Sequence, residues 1–566
     1  MSSRKPARRA ADVVVRATTS PRAMRSRVVA STWSAVVAAP GLPDRVRVAL
    51  ADRVHAGLVR AGRPETAARV SRGVLRRVGS RRLRADLLVR QAAAEIQLGT
   101  PPGLTDAAAA ELEFADKALA KGNVRGAVAS LTAVQRLLFD RRLHYDRLTS
   151  PMADDAGRFL APWHASAAVR ALSAPRGRRE PAAALPPDRP VRLLIATYGN
   201  HSFIEPVRRY FEEMPGVDVR FYDPTGEAAH VSLMNNARPM AEHILAGRSA
   251  YGDRVAEWLQ PLVDWADVVF VDWCAALAVL FGMIDPGQTR MVVRLHSFEA
   301  FTVWPHLVDF SRVDDVIFVS EHLHDLAAAA VPGLTSGGSR IHVISNAMDL
   351  RRFRREKSPA ARFTLGVVGI KSTAKDPRWA VEVLRHLRAH DDRYRLVLLG
   401  QEINPAASPD SKAYWDRFLA DIADLEPAGA VARLGQIEDV PSALTEVGVV
   451  LSSSVRESFH CGLVEGAASG AVPVVRDWPF FAGRAHGARS LFPPDWVVDG
   501  PQAAADRILA ATASEEAFRK TGNAAADHAI ATWDWDTVSR QFDWVVCRDA
   551  AVEPPARERI DGVDGK

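Results

Sequence analysis

Up to about residue 190 the apolar positions recur at intervals of three and four, the spacing that gathers them on one face of an α-helix. Ala51 to Gly62 (ADRVHAGLVRAG) and Pro64 to Gly79 (PETAARVSRGVLRRVG) predict one helical pair, with Gly62 and Gly79 as stops. Leu104 to Gly122 and Asn123 to Arg142 predict a second pair, capped at Thr105. The stretch from Ala174 to Pro190, rich in Pro, Arg and Ala, has the composition of a linker, and beyond it the pattern changes.

After the linker, short β-branched runs alternate with helical stretches. One series of strands is predicted at Arg192–Gly199, Val217–Asp223, Asp267–Trp273, Met291–Ser297, Asp315–His322 and Ile341–Met348. A second follows at Thr364–Ile370, Tyr394–Gly400, Val431–Ile437, Val447–Ser454 and Ala471–Asp477. Strands spaced by helices imply parallel sheets, so two consecutive doubly wound α/β domains are expected. Ligands on such sheets bind at the carboxyl ends of the strands, which places the expected site in the cleft between the two domains.

Composition narrows the class. At 566 residues, 48% hydrophobic and 25% charged, the chain exceeds one ordinary domain and can fill several cores. Its longest apolar stretch, Val263 to Ile284, is broken by Asp264, Asp267 and Asp272, so it reads as strand and helix rather than as a membrane span. No compact apolar leader with a small-residue cleavage site opens the chain. Cys274, Cys461 and Cys547 lie too far apart for a ligand cluster and form no disulfide framework, so a cytoplasmic location is expected.

Charge is unevenly distributed. Residues 1–100 hold 21 Lys and Arg against 6 Asp and Glu, although the whole chain is only +6. Such a front end reads either as solvated arginine faces on helices or as a surface drawn to the anionic inner face of a membrane; no motif for nucleic acid accompanies it.

The chemistry-bearing segment follows the strand ending at Ser454: RESFHCGLVEGAASG (Arg456 to Gly470), with Glu457 in a strand-to-helix loop and Glu465 in the helix. A loop carboxylate can accept hydrogen bonds from sugar hydroxyls, and one in the helix can hold a ribose diol. The helix amino terminus between them favours a diphosphate. A glutamate pair at this separation is weak evidence alone, and its context supplies the specificity.

In that context the segment resembles the E-x7-E donor motif of retaining GT-B glycosyltransferases of family 4, a resemblance running from about Val191 to Trp544. The resemblance implies two Rossmann-like lobes, with Glu457 on the donor sugar and Glu465 on the nucleotide ribose. It also implies donor contacts from Phe459, His460 and Gly462. GIKSTAKDP (Gly369 to Pro377) resembles the segment whose Arg and Lys bind the donor diphosphate; Lys375 matches the Lys, Ile370 replaces the Arg, and Lys371 beside it is the substitute. RLHSFEAF (Arg294 to Phe301) resembles the segment whose His faces the donor sugar, giving His296 a catalytic role. VSEH (Val319 to His322) and ISNAMDLRRF (Ile344 to Phe353) match a strand end and the hinge of the family. In TYGNHSF, Gly199 and Asn200 would let backbone amides approach the diphosphate, with an ordinary loop as the alternative.

The family more often has Gly-Phe-Gly after its first Glu, where this chain has Ser458, Phe459 and His460. A side chain at His460 would narrow the loop, and it either donates to phosphate or sugar or simply packs at the helix start. The Asp534-Trp535-Asp536 triplet precedes a predicted helix, where Asp536 reads as a cap rather than as a metal ligand. The family implies donor binding without metal and no cofactor apart from the nucleotide sugar itself, and it implies retention of configuration. The front helical pairs resemble tetratricopeptide-type hairpins in length, without that repeat's tryptophan, glycine and proline signature.

The expected organisation is a basic, disordered segment over 1–40, a helical repeat-like domain over 41–173 and a linker over 174–190. An acceptor lobe follows over 191–355, a donor lobe over 356–533, a terminal helix crossing back over 534–549 and a disordered tail over 550–566. The expected function is hexosyl transfer from a nucleotide sugar to a glycan or lipid-linked acceptor in cell-surface polysaccharide or glycolipid synthesis. A non-catalytic sugar-nucleotide scaffold and a nucleotide-sugar epimerase or phosphorylase on the same fold are the alternatives.

Overall fold

The computed structural model describes residues 14–96, 99 and 101–547. Two six-stranded parallel sheets form its centre, so the expected two-lobed α/β architecture is present. In the front lobe the strands are β1 (Val191–Ala196), β2 (Val217–Tyr222), β3 (Val268–Asp272), β4 (Arg290–Leu295), β5 (Asp315–Phe318) and β6 (Arg340–Val343). They lie in the order β2-β1-β3-β4-β5-β6. The rear lobe has β7 (Thr364–Val368), β8 (Arg395–Leu399), β9 (Val431–Gly435), β10 (Val449–Ser452), β11 (Val472–Arg476) and β12 (Val497–Val498). Their order is β12-β11-β10-β7-β8-β9. Chain direction across each sheet reverses at one place, between β1 and β3 in front and between β7 and β10 behind. The loops leaving those strands frame the two binding crevices.

Alternation along each strand builds a core on both faces, as the two-residue period requires. On β1 and β3, Leu193, Ile195, Val268 and Phe270 face one core, and Leu194, Ala196, Val269 and Val271 face the other. The first of these cores also receives Val538, Phe542, Val545 and Val546 from the final helix Trp535–Cys547, which returns from the rear lobe to the front one. Asp534 rather than Asp536 satisfies the entry to that helix: its carboxylate accepts from the backbone N–H of Leu350 (2.9 Å) and of Asp536 (3.2 Å).

The helical module runs through Arg27–Ala38, Asp44–Arg60, Pro64–Leu75, Arg81–Glu95, Leu104–Ala120 and Val124–Leu138. Gly62 and Gly122 take the left-handed conformation that ends a helix, whereas Gly79 does not. Instead the Gly79 amide donates to Asp44 at 2.9 Å. Thr105 is not a cap, since it lies inside Leu104–Ala120, whose capping position is Gly103. Part of the segment expected to be disordered is helical: Met24, Ala30 and Val37 from Pro21–Met24 and Arg27–Ala38 are buried against Val54, Leu58 and Val74. Enough apolar side chains alternate with its arginines to close a small core. Residues 1–13 and the expected tail at 550–566 lie outside the described residues.

Residues 174–190 have no regular structure but are tied to the front lobe, with Arg176 paired to Asp309 (3.2 Å) and Arg178 to Asp314 (2.7 Å). One continuous apolar core joins the second half of the module to both lobes: Trp163, Leu160 and Met152 share it with Leu323, Phe310, Phe459 and Phe480. No helix among the described residues is long and apolar enough to cross a membrane.

Candidate active site

The helix Cys461–Ala468 lies flush on the rear sheet because two positions on its sheet-facing side, Gly462 and Gly466, lack a side chain. A Cβ on Gly462 would meet Cβ of Val368 at 2.7 Å, and one on Gly466 would meet Cγ2 of Val450 at 2.5 Å. That close approach sets the helix amino terminus at the crevice between β7 and β10, where its free N–H groups favour an anion. Gly462 therefore acts through its missing side chain.

Glu457 sits in the loop from β10, its side chain 11% exposed. Oε1 accepts from Nζ of Lys375 at 2.6 Å and from Oγ of Ser454 at 2.5 Å. Burial works to raise its pKa, but the Lys375 ammonium, His460 and the Ser454 hydroxyl outweigh it and hold the carboxylate down at about 2. Lys375 comes from the short turn Thr373–Lys375 after β7, so the two loops of the crevice are joined by this ion pair. Lys371, in the same β7 loop, is exposed and makes no ion pair among the described residues.

Glu465 is half-buried on the helix, and its carboxylate takes no hydrogen bond from any described side chain. Burial raises its pKa, eased by Arg352. An ionisable group half-buried beside a binding crevice, with no side chain hydrogen-bonded to it, is placed to take a ligand.

His460 occupies the position where a glycine would be at ease, with φ of 79°. Its ring turns inward: the residue is 5% exposed and Nδ1 lies 2.7 Å from Oγ of Ser452, which also accepts from Nε1 of Trp478 at 3.1 Å. Burial pushes the imidazole down to about 4, so it is neutral near pH 7, with Nε2 3.8 Å from Oε1 of Glu457. Of its two expected roles the ring thus takes the second, packing at the helix start, with Glu457 as its neighbour. Phe459 differs from expectation too, because its ring is fully buried against Trp533 at 6.0 Å and only its backbone borders the crevice.

In the front lobe His296 directly follows β4 and is 3% exposed. Nε2 lies 3.3 Å from Oδ1 of Asp272, the same oxygen that accepts from Nε of Arg294 at 2.6 Å. Burial lowers the His296 pKa, while Asp272 acts against it. In the first loop Gly199 has φ of 71°, but its amide donates to Asp223 at 3.3 Å, and the Asn200 side chain accepts from Ser202. Those groups are engaged within the loop rather than presented to a diphosphate.

Two contacts close the cleft that no sequence pattern pointed to. Nε2 of His322 lies 3.0 Å from the carbonyl oxygen of Glu457, and since a carbonyl only accepts, the ring proton is on Nε2. Arg456, 7% exposed, donates to the carbonyl of His144 in the helical module, with its guanidinium 5.6 Å from the Tyr145 ring and 5.1 Å from that of Phe301. The loop holding Glu457 thus touches the rear lobe, the front lobe and the module at once. Among the described residues no group of three or more His, Cys, Asp or Glu is arranged to hold a metal ion. The three non-glycine residues there with positive φ, Trp273, Asp376 and His460, all lie in loops leaving the sheets. Strained backbone of this kind gathers at functional sites.

No family model matches the chain. Over 231 residues, 40% of this chain and 57% of the relative, it is 26% identical to the GDP-mannose:cellobiosyl-diphosphopolyprenol alpha-mannosyltransferase of Xanthomonas campestris. The chain thus spans little more than half the length of that relative. Among solved structures it is similar to Anabaena HepE in complex with UDP and glucose, at 16% identity over 62% of this chain and 98% of that one, with a TM-score of 0.45. It is also similar to a Thermobaculum terrenum O-GlcNAc transferase mutant, at 16% identity over 89% of this chain and 97% of that one, with a TM-score of 0.42.

Proposed function

We propose that this chain is a retaining glycosyltransferase of the family 4 kind, moving a hexosyl group from a nucleotide-diphosphate sugar to a glycan or lipid-linked acceptor. The observation that carries the reading is the pair on one loop and helix: Glu457, held ionised by Lys375, and Glu465, half-buried and hydrogen-bonded to no described side chain, flanking a helix amino terminus at the rear crevice. Glu457 holds hydroxyls of the donor sugar and Glu465 the ribose diol. The helix end, Lys375 and Lys371 face the diphosphate. An ammonium has three donors, so Lys375 can keep Glu457 and still reach a phosphate. His296 faces the sugar from the front lobe.

Transfer passes through an oxocarbenium-like state in which negative charge grows on the departing diphosphate. Groups already aimed at that charge lower the barrier most. The donor is a co-substrate, and the reading assigns no further cofactor and no metal. Similarity to a mannosyltransferase whose name specifies GDP-mannose and a diphosphopolyprenol-linked acceptor makes GDP the first nucleotide to try and a lipid-linked glycan the first acceptor. We place the enzyme on the cytoplasmic side, with the arginines of the helical module against an anionic membrane surface. Liposome flotation without enrichment on anionic lipid would remove the membrane part.

Calorimetric titration with GDP, UDP and ADP in excess chelator, repeated on Glu465→Ala, tests the donor site. Binding of one nucleotide that weakens at least tenfold in the variant is expected; roughly 1.5–3 kcal/mol is the scale of a hydrogen bond to a charged group. No binding of any of them would return the chain to the scaffold reading.

A further inference from the structure

Of the large apolar side chains exposed among the described residues beyond residue 46, two of three, Tyr198 (38%) and Phe298 (49%), sit at the carboxyl end of the front sheet. Tyr198 follows β1 and Phe298 follows β4. Between them, directly after β3, is Trp273, half-buried and with φ of 74°. A left-handed backbone is an outlier for so bulky a residue and persists only where its surroundings over-determine it. Here the fully buried carboxyl of Glu299 provides that constraint, since Oε1 accepts from the amides of Cys274 (3.0 Å) and His296 (3.2 Å) and pins the loops from β3 and β4 together.

The result is an aromatic floor. The Trp273 ring lies 4.2 Å from that of His296 and 5.9 Å from that of Phe203, and its Nε1 donates to the Asn200 carbonyl at 3.4 Å. That floor lies at the β1–β3 crevice, the place where a doubly wound sheet receives its ligand. Apart from His296, the proposed donor elements belong to the other lobe, so the rest of this crevice is left for the second substrate.

We infer that Trp273 is the platform on which a pyranose ring of the acceptor stacks, with Tyr198 and Phe298, whose ring packs 5.3 Å from that of Tyr145, on the strand loops to either side. The inference rests on the proposed transferase reading. A pyranose offers a flat face of C–H groups suited to an indole and a rim of hydroxyls suited to the surrounding polar atoms, the mixed lining typical of small-ligand sites. The energy of holding Trp273 in a disfavoured conformation is explained by what the indole does there, since packing alone does not call for a half-exposed ring.

Saturation-transfer NMR on the full chain with cellobiose and methyl β-glucopyranoside as probes tests this, using Trp273→Gly and Trp273→Phe. Glycine suits the left-handed backbone, so the first variant removes the ring without forcing the loop. Wild type is expected to transfer saturation to the ring C–H protons, with the signal falling roughly tenfold in Trp273→Gly and partly kept in Trp273→Phe. No signal from wild type, or an unchanged one in Trp273→Gly, overturns the inference. Should that variant not melt cooperatively, Tyr198→Ala/Phe298→Ala, at exposed positions, must weaken the signal instead. GDP titration of the same samples separates the two readings: GDP binding with no Trp273-dependent saccharide signal sinks only the platform. A Trp273-dependent saccharide signal without binding of any nucleotide sinks only the donor assignment.

Discussion

His322, at the start of the helix after β5, donates from Nε2 to the backbone carbonyl of Glu457, 135 residues further along and in the other lobe. Burial holds the ring at about 4, so the contact is made by a neutral imidazole throughout the ordinary pH range. It fixes the loop that presents Glu457 without touching its carboxylate. His322→Ala is therefore expected to slow sugar transfer about tenfold or more, the scale of one lost buried hydrogen bond, while GDP affinity changes little. Parallel rate and titration measurements check this; equal losses in both would assign His322 to nucleotide binding instead.

Lys375→Met removes the charge that keeps Glu457 ionised. The carboxylate, 11% exposed, then has only Ser454 and His460 nearby, and its pKa should climb from about 2. Stability is expected to fall by about 1–3 kcal/mol in urea unfolding, and the double variant with Glu457→Gln should recover part of it, because no buried charge is then left alone. A double variant as unstable as the sum of the singles would mean the two residues are not coupled.

Burial pushes Glu299 up to about 8. A carboxyl whose folded pKa exceeds its unfolded value stabilises the fold fully below the unfolded value, about 4.5, and that contribution is lost as pH rises towards 8. The melting temperature should therefore decline from pH 5 to pH 8 more steeply in the wild type than in Glu299→Gln, which cannot titrate. Scanning calorimetry across that range decides it, and parallel curves would mean Glu299 titrates normally.

Gly462→Ala places a methyl 2.7 Å from Cβ of Val368. Either the helix lifts from the sheet or β7 yields, at a cost of about 1–3 kcal/mol. Since the helix end faces the crevice, nucleotide affinity should fall along with stability. An alanine variant that binds GDP like wild type would show that the helix end is not used.

Both sheets were legible because β-branched runs alternate with helices, and β12 was not, since Val497–Val498 is too short to carry a period. Glu457 and Lys375 were visible as members of motifs, but their meeting at 2.6 Å depends on β7 and β10 being neighbours, which spacing along the chain does not reveal. Phe459 shows the limit of reading roles residue by residue: the position borders the crevice while its ring belongs to the core. Arg456 and His322 were beyond reach, since nothing local marks an arginine or histidine as buried against another domain.

Because Trp163, Leu160 and Met152 lie in one apolar mass with Leu323 and Phe480, the stretch 174–190 is a connection but not a seam. Trp163 also gives its indole N–H to His306 at 3.3 Å, across that supposed border. A fragment beginning at residue 174 would carry a raw oily face where the helices had been, and would lose the His144 carbonyl on which Arg456 is moored. The two α/β lobes and the helices before them are therefore tenants of a single structure: a lesion at residues 104–172 reaches Glu457 from behind, and the smallest folding unit is wider than its motifs suggest.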